Sequence, residues 1–315
     1  MVELSRRRFL GTAALAAGAT SACAAPAPAP SADLRSGRAT FVLVHGANGN
    51  AGSFAPLIAG LAMAGHHAVA VDLPGHGPAG NFPLSYQAPQ DLAALAVEPS
   101  PLADVGLADN VGHVVRVVRQ IAAHGPVILL GHSMGGATIT RVGNQVPDLI
   151  ARLVYLTAFC CVRLRNVLEC FTTPEASTSL LPTIPSLGNP EQTGVTRTNW
   201  RSADREFITA AKAALADGYV DPAFRAALNI MEPDEAWAVT TDDARGEPAT
   251  WGRIPRSYIR CTRDRAVPLA LQDRMIEEAD GATPNNPFDI HTLDAPHLGP
   301  QDPLPLVDIL RTLAA

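Results

Sequence analysis

Gly131-His132-Ser133-Met134-Gly135-Gly136 sets one serine among small residues, directly after the apolar run Val127–Leu130 and before Ala137–Val146, a segment of helical spacing. A serine hydroxyl attacks a carbonyl carbon poorly unless it is exposed, relieved of its proton and faced by a pocket that stabilises an anion. Glycines at 131 and 135 let the chain turn sharply, so that Ser133 projects from the end of a strand. The start of the following helix then aims backbone N–H groups at the developing negative charge. The spacing G-x-S-x-G is common by chance, and its place between a strand and a helix is what gives it weight. The alternative for Ser133 is a structural turn residue.

Acyl transfer through such a serine needs two N–H donors for the tetrahedral oxygen. Met134 N–H supplies one. Ala47 N–H, in His45-Gly46-Ala47-Asn48-Gly49, is the natural second. His45 in that loop is read as bracing the turn by hydrogen bonds. The chain has nine histidines, and the general base must lie on a loop near the strand ends. His66, His67 and His124 sit at helix ends, His113 faces out of a helix and His132 flanks the nucleophile. His297 follows the last strand, in Asp294-Ala295-Pro296-His297-Leu298-Gly299, and can swing its ring to Ser133. His291, expected to be buried or sheet-facing within that strand, is the runner-up. The acid that orients the imidazole is read as Asp264, after the penultimate strand. A surface carboxylate paired with Arg263 or Arg265 is its bland alternative, and Glu169 and Asp242 are weaker substitutes.

These residues depend on alternating strands and helices for their placement. Strands are expected at Ala39–Val44, Ala68–Val71, Val127–Leu130, Leu153–Thr157, Ser257–Cys261 and Phe288–Leu293. Helices are expected at Phe54–Ala64, Leu107–Ala123, Ala137–Val146 and Leu304–Leu313, the second carrying Val111, Val114, Val115, Val118 and Ile121 on one face. The alternation predicts a mostly parallel sheet with helices on both faces. In such sheets a site lies beyond the carboxyl ends of the strands, where every motif above falls. Residues 78–106 form a long excursion without a strong period. Residues 161–250 lose the strand signal and read as an inserted, mainly helical cap.

The remaining features bound the setting. Residues 1–38 read as an export signal and an Ala/Pro-rich linker, leaving core segments at 39–160 and 251–315 around the cap. Ser5-Arg6-Arg7-Arg8-Phe9-Leu10 before an Ala-rich stretch resembles a twin-arginine signal. Cys23 resembles a lipobox cysteine, the one route to a membrane. Thr20 stands where Leu is usual, so cleavage at a nearby small residue is the equal alternative. Cys160, Cys161, Cys170 and Cys261 have no zinc spacing and read as small buried residues, with a Cys170 pairing to Cys160 or Cys161 left open. A net charge of −6 without a basic run argues against nucleic acid as a partner. No ligand cluster or dinucleotide fingerprint appears, so neither metal nor organic cofactor is expected.

Over nearly all of Thr40–Ala315 the chain resembles the α/β-hydrolase superfamily. Phe41–Gly46, Asp72–Gly77, the serine turn and the Asp264 and His297 loops look most like its methylesterase and hydroxynitrile lyase branch. That resemblance implies the α/β-hydrolase fold and a Ser133–His297–Asp264 triad in the family's chain order of Ser, Asp, His. Lyases of the branch carry Lys after the catalytic histidine and Thr beside the oxyanion donor. This chain has Leu298 and Gly46, which esterases tolerate. The expected activity is hydrolysis of a small or medium, largely apolar ester or lactone through an acyl-enzyme. A lyase, or a non-catalytic small-molecule binder on the same scaffold, is the alternative. Apolar cap residues Phe171, Leu180, Leu181, Trp200, Met231 and Trp237 are candidates to line its pocket. Arg163, Arg165, Arg197, Arg201 and Arg205 are expected to pair on the surface.

Overall fold

A computed structural model describes residues 38–314. The twin-arginine stretch and Cys23 lie outside the described residues. Six strands, β1 (Thr40–Val44), β2 (His67–Val71), β3 (Val127–His132), β4 (Arg152–Leu156), β7 (Arg256–Cys261) and β8 (Asp289–Leu293), form one parallel sheet in the order β2-β1-β3-β4-β7-β8. Between β4 and β7, two three-residue strands, β5 (Val195–Arg197) and β6 (Asp234–Ala236), pair antiparallel.

The continuous apolar runs of β1 and β3 follow from burial on both faces. Val42 and Val44 point into one core with Val127 and Leu129. Phe41 and Leu43 point into the other with Ile128 and Leu130. The first core is closed by the helix Leu107–Ala122, whose Val111, Val114, Val115 and Val118 are buried as the spacing predicts. The helices Ala55–Met63 and Leu304–Leu313 close the second.

The sheet order brings the functional loops together. β1 pairs with β3, Val44 opposite Gly131, so the His45 loop and the Ser133 turn leave adjacent strand ends. The chain order reverses at this pair, the usual place for a site in an open α/β sheet. β7 and β8 carry Asp264 and His297 on their far ends. β8 stands three strand spacings from β3, about 14 Å at roughly 4.8 Å each, and the loop after it spans that gap.

Three departures from expectation have physical reasons. The helix after Ser133 begins at Gly135, two residues early, because its glycines sit beneath the turn itself. The segment between β4 and β7 holds helices such as Arg205–Leu215 and Asp221–Ile230, but also the β5–β6 ribbon. Strands of three residues that include Arg197, Asp234 and Glu235 carry no apolar alternation to find. His291 is half-exposed on the edge strand β8, bonded to Asp289 Oδ2 at 3.0 Å, rather than buried. All four described cysteines are buried free thiols, with Cys161 Sγ and Cys170 Sγ in contact at 3.8 Å.

Candidate active site

Ser133 sits at φ 52°, a left-handed conformation that costs a non-glycine residue about 1–2 kcal/mol. The turn tolerates it because its neighbours leave no room for alternatives. A Cβ at Gly131 would lie 2.7 Å from Gly135 O, and one at Gly135 would lie 2.6 Å from both Val44 O and His45 O. Only glycine lets the turn, the helix start and the β1 loop approach this closely.

The side chains singled out in the sequence meet at this point. His297 Nε2 lies 3.0 Å from Ser133 Oγ, and His297 Nδ1 lies 2.7 Å from Asp264 Oδ2. Asp264 is 5% exposed, so its charge must be met by donors. Ala266 N–H and Val267 N–H donate to Oδ1 at 2.7 and 2.8 Å, and Thr157 Oγ1 donates to Oδ2 beside His297. Among the described residues, Ala47 N–H and Met134 N–H have no protein acceptor and flank the serine turn. The Ser133–His297–Asp264 chain can take the serine proton and hold the imidazolium that results.

Three further histidines shape the site's charge. His132 donates Nε2–H to the His297 carbonyl at 2.8 Å and fixes the loop from β8. Burial, and then the neighbouring His297, hold His132 down at about 4, so it stays neutral beside a base that must gain charge. Burial and His76 likewise hold His45 at about 4. His45 Nε2 accepts from Leu73 N–H at 3.1 Å, so Nδ1–H donates to Gly46 O at 2.9 Å, the bracing role read in the sequence. Burial alone would depress His76, but the facing Glu235 and Glu232 carboxylates outweigh it and push it up to about 10.

A cavity of about 340 Å³ opens beside Gly46 and Ala47. Ala223, Ala226 and Ala227 of the helix Asp221–Ile230 form one wall, and Phe54, Leu57 and Leu306 another. Of the bulky cap residues expected here, only Met231 lines it. Trp200 packs with Phe207 in a separate apolar cluster formed largely by the segment between β4 and β7, flanked by Leu180 and Leu181, and Phe171 packs on Phe159. None of the five arginines singled out in the sequence (Arg163, Arg165, Arg197, Arg201 and Arg205) lines the cavity. Arg197 departs from the expected surface pairing: it is buried and clamps Asp234.

Sequence reasoning missed Thr157, Glu232 and Glu235. A threonine at a strand end has no signature, and the two glutamates reach the site only through contacts distant in sequence.

The model of the alpha/beta hydrolase family matches residues 41–309, and the chain belongs to that family. A pyrethroid hydrolase of Sphingobium wenxiniae is 27% identical over 261 residues, 82% of this chain and 80% of that protein. Salicylic acid-binding protein 2 of Nicotiana tabacum is 27% identical over 246 residues, 75% of this chain and 84% of its own. A solved pyrethroid hydrolase structure superposes with a TM-score of 0.65 at 22% identity, covering 88% of this chain and 97% of that one, a likeness of fold.

Proposed function

We propose that this carboxylic ester hydrolase works through Ser133 as nucleophile, His297 as general base and Asp264 as the acid that orients it. The supporting observation is the continuous hydrogen-bonded chain from Ser133 Oγ through His297 to Asp264. Ser133 Oγ bonds to the ester carbonyl carbon while its proton passes to His297 Nε2. Asp264 holds Nδ1–H and offsets the new positive charge. The carbonyl oxygen becomes an oxyanion received by Ala47 N–H and Met134 N–H, donors worth about a hundredfold to a thousandfold in rate each. Collapse expels the alcohol, protonated by His297, and water deprotonated by the same base then releases the acid.

The lyase alternative loses support at both departures already noted. A threonine at position 46 would bring its Cβ within 2.6 Å of Ser133 Cβ, and Leu298 carries no charge to hold cyanide. The segment 161–250 serves as the cap that roofs the site. The substrate is a small or medium, neutral, largely apolar ester or lactone, since pockets of this size bury most of a ligand against apolar walls and no Asp, Glu, Lys or Arg lines this one. Matched esters that differ only by a distal carboxylate test the claim. The neutral member should show the higher kcat/KM; a tenfold preference for the charged member, about 1.4 kcal/mol, would overturn it.

The sequence of residues 5–10 supports export in folded form, with maturation near Cys23. Arg6→Lys with Arg7→Lys should block export in the native host, and mass spectrometry should find the exported chain starting at or soon after Cys23. An intact cytoplasmic chain that retains Met1 contradicts this.

A further inference from the structure

The oxyanion donor Ala47 N–H belongs to a peptide plane, and planes are set by what their ends hold. In a trans peptide the C=O and N–H point opposite ways. The Gly46 carbonyl is held by His45 Nδ1–H at 2.9 Å and by Gly49 N–H at 3.2 Å, which turns Ala47 N–H away from them. The next plane is held from the cap. Asn48 N–H donates to Glu235 Oε2 at 2.8 Å, and Asn48 Nδ2–H donates to Glu232 O at 2.9 Å. Asn48 stands at φ 56°, in the left-handed region that asparagine enters more readily than other non-glycine residues, and these two bonds fix it there.

Glu235 is itself held. It lies on β6, 3% exposed, with His76 Nε2 at 3.6 Å from Oε2. His76 Nδ1 lies 3.1 Å from Glu232 Oε2, whose other oxygen accepts from Gly77 N–H and Asn50 Nδ2–H at 2.8 Å each. Buried ionic groups of this kind contribute little to stability compared with well-packed apolar side chains. Their value here is positional: they tie β6 to the loops after β1 and β2.

We propose that Glu235 is a positioning residue, which sets the oxyanion donor by holding Asn48 N–H while His76, itself held by Glu232, faces Glu235 from the other side. The proposal rests on the reading of Ser133 and Ala47 N–H given above.

Three variants separate the hydrogen bond from the packing. Glu235→Met keeps the side-chain length but offers Asn48 no acceptor. Glu235→Asp keeps the charge facing His76 and withdraws the oxygen by one methylene. Glu235→Gln keeps a carbonyl oxygen for Asn48. The expected result is a fall in kcat of about tenfold to a hundredfold for Met and Asp, a fraction of the loss for a removed oxyanion donor. KM should stay within twofold, and Gln should recover most of the rate. A trifluoromethyl ketone, which forms a tetrahedral adduct on Ser133, should lose affinity by the same factor in the impaired variants. The matching methyl ketone, bound as an unreacted carbonyl, should not. Should the Met variant fail to fold, the Asp variant decides. The proposal is overturned if the folded variants keep kcat within twofold, if the loss falls on KM, or if both ketones weaken equally. Failure of the underlying reading shows separately, as wild-type protein that forms no adduct with the trifluoromethyl ketone.

Discussion

Ser133→Ala should lower ester turnover by at least about a thousandfold, the scale for losing a nucleophile of this kind, and leave the fold intact. The fold should survive because the strain at residue 133 belongs to its backbone and Cβ, which alanine shares. The turn's close contacts at Gly131 and Gly135 do not involve the hydroxyl. His297 also keeps its place, since Asp264 still accepts from Nδ1 and His132 still holds its carbonyl. A fluorophosphonate probe should label the wild-type chain at Ser133 and not the variant. Turnover near the wild-type level in a variant of unchanged melting would sink the assignment. Wild-type protein that resists the probe would favour a non-catalytic binder.

The parts of this molecule legible in sequence are those whose signal is local. β1 and β3 announce themselves because burial on both faces forbids polar residues. The helix Leu107–Ala122 does so because one face must be apolar and the other wet. The serine turn is legible because its glycines are demanded by contacts within a few residues and with the adjoining loop. Asp264 and His297 could be selected because each follows a strand of the sheet, although the loop that carries His297 back across three strands has no sequence signature. What stayed hidden is non-local or depends on small size. Glu232 meets His76 across 156 positions, and nothing in either neighbourhood marks the other. The cavity wall is made by Ala223, Ala226 and Ala227, since a pocket needs missing volume. The bulky apolar residues of that stretch pack instead against one another, as Trp200 does against Phe207.

His297→Ala should be about as damaging as the serine change, because a nucleophile and its base act as one unit and the second loss adds little to the first. The double variant should accordingly be no slower than either single one by more than a small factor. The folded state should tolerate the change: Asp264 loses one partner but keeps Thr157, Ala266 N–H and Val267 N–H, so its charge is not stranded. His291→Ala is the control. Its imidazole is half-exposed on the edge strand and bonded only to Asp289, itself exposed, so its removal should cost no more than about 0.5 kcal/mol and leave kcat unchanged. The comparison therefore reads position rather than residue type, since both histidines belong to the same end of the chain, six residues apart. Should His291→Ala abolish turnover at unchanged stability while His297→Ala retains it, the base has been misassigned. The hydrogen-bonded chain to Ser133 would then be a structural contact.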